Sequence, residues 1–200
     1  ADQYAALIQE NPDFIGWVTI PDSRIDYAVV HGEDNSHYLS TDFYGNPHRL
    51  GTVFLDYRAA FSQERQSSHL VLYGHSAKDG SFFNDVRNYK KLDYYKEHPL
   101  IQFGNIYDGD TQWVIFAAYM IDARDSTENA FWFHDYVDFA DETEYNEFID
   151  GIDQRNYYRN DVEVAYGDQF LTLSTCDYDF DDARFVITAR KLREGETASS

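Results

Sequence analysis

Eight short apolar runs, separated by polar turns, constrain the fold of this chain most. They are GWVTIP (16–21), IDYAVVHG (25–32), TVFLDY (52–57), HLVLYGH (69–75), LIQFGNIY (100–107), TQWVIFAAYMI (111–121), FLTLSTC (170–176) and RFVITARKL (184–192). Their length, their Val, Ile, Thr and aromatic content, and the turn residues between them read as β-strands. Asp108-Gly109-Asp110 joins the fifth to the sixth as a hairpin signal. Helical spacing is confined to 1–10, 81–89, 92–98 and 140–158. The last is the longest, with Tyr145, Phe148, Ile149 and Ile152 at helical spacing and acidic residues crowding its start. Strands and helices do not alternate regularly. That argues against a doubly wound sheet and leaves a mainly β fold: a closed or nearly closed barrel, or a sandwich.

Charge and cysteine usage narrow the function. Asp and Glu total 36 against 16 Lys and Arg, a net charge of −20. Such a surface repels nucleic-acid phosphates and anionic head groups, so neither nucleic acid nor a polybasic membrane contact is expected. One cysteine excludes an internal disulfide framework and a multi-cysteine zinc site. No signal peptide and no membrane-length apolar run is present. Ala1 is not a natural initiator, so the chain is expected to be an excised soluble piece. It reads as one domain over 1–193, with 1–15 a helical N-terminal segment and 194–200 a flexible tail.

The lone thiol, Cys176, ends a strand. In FLTLSTC, Leu171 and Leu173 share one face with Thr175, while Thr172, Ser174 and Cys176 share the other. With the leucines in the core, Cys176 falls on the more polar face, where a substrate could reach it. Eight residues on, Arg184 opens the next strand. If the two strands pair, the cation and the thiol lie at the same end of the sheet, and a nearby cation favours the nucleophilic thiolate. The alternative is a small hydrophobe packed in the core. A thiol nucleophile needs a proton shuttle. Of seven histidines, His75 stands out because it follows Gly74 at the end of a strong apolar run. Its alternative is a solvated turn residue. The run DYDFDD (177–182) lacks the glycine and distal glutamate of a calcium loop and reads as a solvated turn. No metal-binding, P-loop or dinucleotide motif is present, and no cofactor is expected.

LTLSTC at 171–176, Arg184 at the head of RFVITARK, and YGHS at 73–76 resemble the catalytic core of class B sortases, cysteine transpeptidases of Gram-positive surfaces. The resemblance extends over about residues 10–192, including the block 11–46 and GTVFLDYR at 51–58. It implies an eight-stranded β-barrel with N-terminal helices and a long helix inserted between strands six and seven. It also implies Cys176 as nucleophile, His75 as general acid/base and Arg184 as stabiliser of substrate and oxyanion. Substrate-lining positions carry over to Asn35, Leu39, Ser174 and Thr175, and in the loop before the inserted helix to Thr127, Phe131 and Trp132. The implied partners are surface proteins bearing a C-terminal sorting motif and an amine from a peptidoglycan precursor or pilin. The implied location is the extracytoplasmic face of the membrane, through an N-terminal anchor absent from this chain. Two departures stand out: a cysteine-to-arginine interval of eight, and Ala28 where relatives commonly carry proline. A hydrolytic cysteine peptidase and a non-catalytic surface-binding module are the competing readings.

Overall fold

The computed structural model describes residues 2–176 and 183–197. Each apolar run forms a strand: β1 (Phe14–Thr19), β2 (Asp26–Val30), β3 (Val53–Leu55), β4 (His69–Gly74), β5 (Leu100–Asn105), β6 (Gly109–Asp122), β7 (Phe170–Thr175) and β8 (Ala183–Lys191). They close into a barrel in the order β1-β2-β3-β4-β7-β8-β6-β5, which settles barrel against sandwich. Closure leaves no unpaired strand edge. The pairings are antiparallel except β2 with β3 and β4 with β7. Ala28 lies in the β1–β2 ladder opposite Trp17.

The helices are α1 (Ala5–Glu10), α2 (Leu92–Glu97) and α3 (Glu142–Arg155), with 81–89 realised as a 3-10 helix over Phe83–Lys90. Helix α3 lies between β6 and β7 in the chain. Its start is set by Asp141, whose side chain accepts from the Glu144 amide at 3.0 Å. Tyr145, Phe148 and Ile152 on α3 are buried.

Two apolar layers share the strands. Inside the barrel, Leu70, Leu72, Leu171, Leu173, Ile187 and Ala189 pack with residues from the other strands. Outside it, Val71, Tyr119, Phe170 and Val186 pack against Phe131, Phe133 and the buried face of α3. Strand β7 is therefore buried on both faces along its length. This corrects the reading of Thr172 and Ser174 as an open polar face: both are at most 1 % exposed. Their strand tolerates this because hydroxyls answer one another. His69 Nδ1 meets the Tyr136 carbonyl at 2.7 Å, and its Nε2 meets Thr172 Oγ1 at 2.6 Å. Thr172 then bonds Thr188 at 2.9 Å, which bonds the Tyr119 hydroxyl at 2.9 Å. Buried polar groups paired this way avoid the desolvation cost of an orphan.

The start of the expected tail is also held in place. Glu196 receives both terminal nitrogens of buried Arg190, at 2.8 and 2.9 Å. Residues 198–200 lie outside the described residues.

Burial pushes the His69 imidazole down to about 4, from an ordinary 6.5. The unfolded chain takes up that proton first, so this contribution is complete above pH ~6.5 and is lost as pH falls towards 4. Relative to His69→Gln, the wild type is expected to lose about 2 kcal/mol of unfolding free energy between pH 7 and 5. Urea denaturation of both proteins at the two pH values measures this, and parallel curves would refute it.

Candidate active site

The register of three neighbouring strands builds the site. Strands β4 and β7 run parallel, with Val71 opposite Thr172, Tyr73 opposite Ser174 and Gly74 opposite Thr175. His75 and Cys176 are the next residues on each, and the Cys176 amide donates to the Gly74 carbonyl at 3.1 Å. On the other side, β8 runs antiparallel to β7 with Val186 opposite Ser174. Before it in the chain, Phe185 donates its amide to Thr175 Oγ1 at 3.0 Å, and Arg184 precedes Phe185. Paired strands lie ~4.8 Å apart. The end of β4 before His75, the end of β7 before Cys176 and the start of β8 that carries Arg184 thus meet at one end of the sheet. Cys176 is buried, 8 % exposed.

His75 is held from two sides. Its Nε2 lies 2.9 Å from the Leu39 carbonyl, which can only accept, so the proton sits on Nε2. Its own carbonyl accepts from the Phe83 amide at 2.7 Å. Gly74 has no side chain because Phe83, fully buried, occupies the space: a Cβ there would stand 2.7 Å from the ring.

The other expected site residues divide. Leu39 touches His75 directly through that carbonyl. Ser174, one strand step before Cys176 on the same face, is buried and donates to the Thr175 carbonyl at 3.0 Å. Thr175 turns inward to hold the Phe185 amide. Phe131 is 7 % exposed and stacks in the outer core beneath the Arg155 guanidinium, 5.1 Å from its ring centroid. Trp132 packs beside it, half-buried. Thr127 sits exposed in a turn, its hydroxyl on Asp125 at 2.7 Å. The acidic run 177–182 lies outside the described residues. Among the described residues, no cluster of three or more His, Cys, Asp or Glu is arranged to hold a metal ion.

Asn35 leads to a group that carries no motif. Its Nδ2 donates to Asp56 Oδ2 at 3.1 Å, and its Oδ1 accepts from the Tyr57 amide at 2.9 Å. The Asp56 carboxylate is 2 % exposed and also accepts from the Tyr73 hydroxyl at 2.8 Å. Arg58 grips it with Nε at 3.0 Å and Nη2 at 2.9 Å, and through its own amide at 2.9 Å. Burial alone would raise the Asp56 carboxyl. The Arg58 bonds, the Tyr73 hydroxyl and the Arg58 charge outweigh it and hold Asp56 below the usual carboxylate range. Burial and the adjacent carboxylate push Tyr73 far up, so it stays a donor.

Comparison with known proteins places this geometry. A sortase domain family model matches residues 18–192. Sortase B of Listeria monocytogenes is 32 % identical over 193 residues, covering 94 % of this chain and 74 % of that protein. The Staphylococcus aureus sortase B–substrate complex superposes with a TM-score of 0.85 at 29 % identity, over 96 % of this chain and 85 % of that one. A sortase B structure complexed with triglycine matches with a TM-score of 0.84 at 29 % identity, over 96 % and 86 %.

Gly74→Ala is expected to lower stability by about 1–3 kcal/mol, because the methyl group must displace the buried Phe83 ring. A thermal melt of the variant checks this, and an unchanged midpoint would contradict the packing described.

Proposed function

The chain belongs to the sortase family, in its class B branch, and is a cysteine transpeptidase of cell-wall sorting; from that premise we propose that Cys176, His75 and Arg184 carry the reaction. The observation that supports this most is the strand register, in which β4 and β7 end in step just before His75 and Cys176 and β8 starts beside them.

The Cys176 thiolate attacks a backbone carbonyl in the sorting motif near a surface protein's C-terminus. The carbonyl π electrons move to oxygen, and Arg184 stabilises that oxyanion; one such donor is worth about 3 kcal/mol. As the intermediate collapses, the C–N bond breaks and His75 protonates the leaving amine. The protein substrate is left as a thioester on Cys176. An amine then attacks the thioester and gives a proton to His75. The C–S bond breaks, and the thiolate is regenerated beside the reprotonated His75. With Nε2 committed to Leu39, Nδ1 is the nitrogen that exchanges the proton.

Asn35, Leu39 and Ser174 line the peptide's path, with Thr127 and Trp132 at its far wall. Thr175 and Phe131 act behind it as packing. The acceptor is an amine of a peptidoglycan precursor or a pilin; the triglycine complex of a sortase B fits a small amine nucleophile. A net charge of −20 draws ammonium-bearing acceptors towards the surface. Residues 1–193 serve as one catalytic domain, working at the extracytoplasmic face of a Gram-positive membrane. Among the described residues no helix is long and apolar enough to cross a membrane.

A sorting-peptide library with and without added triglycine tests the reading. The wild type is expected to divert acyl groups to the amine, and Cys176→Ala to lose roughly three orders of magnitude or more of the rate. Arg184→Ala is expected to lose about 100-fold in kcat. Cleavage whose products ignore the amine would indicate a hydrolase. A thiol that iodoacetamide reaches only after unfolding would indicate a non-catalytic module.

A further inference from the structure

Two separate pieces of chain meet at the Asp56 carboxylate, and each carries or leads into a residue of the proposed site. The 35–39 segment supplies Asn35, bonded to Asp56, and Leu39, whose carbonyl holds the His75 imidazole. Strand β4 supplies Tyr73, bonded to Asp56 and two residues before His75 on the same face. The segment after Trp132 is held one step away: Arg58, clamped on Asp56, reaches Asp135 with its other terminal nitrogen at 3.3 Å. The carboxylate accepts five hydrogen bonds: from Asn35, Tyr73, and the Arg58 amide, Nε and Nη2.

A buried ion pair of this kind adds little to stability that well-packed apolar groups could not supply. Its distinctive property is directional: five donors hold the 35–39 segment and β4 relative to one point. Asn35 is bonded through both ends of its amide, so the turn leading to Leu39 has a fixed angle. The Leu39 carbonyl therefore sits where it keeps the proton on His75 Nε2.

We propose that Asp56, with Arg58 and Tyr73, is a positioning centre that braces the 35–39 segment against β4 and so holds His75 in the orientation and tautomer that acyl transfer needs. It touches neither the substrate nor the reacting atoms. The proposal rests on His75 being the proton shuttle, and the experiment separates the two ideas.

Asp56→Asn removes the charge and keeps the shape. Asp168→Asn serves as the control. It breaks the comparable two-pronged pair with Arg193 (3.1 and 2.9 Å), just before the start of β7 and so at the other end of that strand. Both variants are expected to melt earlier than wild type. Only Asp56→Asn is expected to lose kcat/KM, by about tenfold or more, with most of the loss in kcat. In nitrogen-15 spectra of the ring, His75 is expected to be the Nε2–H tautomer in wild type and Asp168→Asn, and a tautomer mixture in Asp56→Asn. Should Asp56→Asn fail to fold, Tyr73→Phe, which deletes one neutral donor, is read by the same two measurements. A folded variant that keeps kcat/KM within about twofold and the wild-type ring spectrum overturns the proposal, as does an equal loss in Asp168→Asn. If the wild type transfers no acyl group at all, the transpeptidase roles fall instead, and the ring spectrum alone decides for Asp56.

Discussion

The parallel pairing of β4 with β7 is the constraint on which the rest of the molecule depends. Six residue pairs, from His69 opposite Phe170 to Gly74 opposite Thr175, keep the two strands in step. Parallel neighbours finish at the same edge, so the residues emerging from each, His75 and Cys176, come out side by side. An antiparallel β7 would have set the thiol beside the start of β4. The antiparallel β8 does the complementary thing: it begins where β7 ends and brings Arg184 to that same edge. A parallel pair requires a long crossover. Here it holds β5, β6 and α3, and α3 turns back to cover the outer face of the strands it connects.

That cover makes the site stiff. With apolar layers on both faces, β4, β7 and β8 have few ways to shift, and the hydroxyl chain from His69 to Tyr119 pins them to one another. The chemistry sits where this stiffness ends, in the first residues beyond the strands. Asp56 continues the bracing outwards, from the rigid barrel to the 35–39 turn, by charge and hydrogen bonds instead of apolar contact.

The strands were legible from the sequence because β-branched and aromatic runs between turn residues are a local signal. Parity set Cys176 on the face opposite Leu171 and Leu173, open to substrate, whereas the structure buries it at 8 % exposure, one residue beyond β7. The same alternation misled at Thr172 and Ser174, whose polarity suggested solvent. The partners of Thr172, His69 and Thr188, stand 103 and 16 residues away in the chain, and no local pattern announces such pairing. Asp56 was passed over for a similar reason. GTVFLDYR shows a carboxylate two residues before an arginine, a signal that could have been weighed, but Asn35 and Tyr73 lie 21 and 17 residues away.

The sequence by itself determined the number of strands, the face each side chain takes along them, and which thiol, imidazole and guanidinium stand at strand ends. These follow from backbone alternation and residue shape, which act within a few residues. Only the tertiary structure decided the order of strands around the barrel, the burial of β7 on both sides, and the gathering of Asn35, Asp56, Arg58 and Tyr73 at one point. Those depend on contacts between distant segments, whose energies belong to the closed barrel as a whole and have no counterpart in any single stretch of chain.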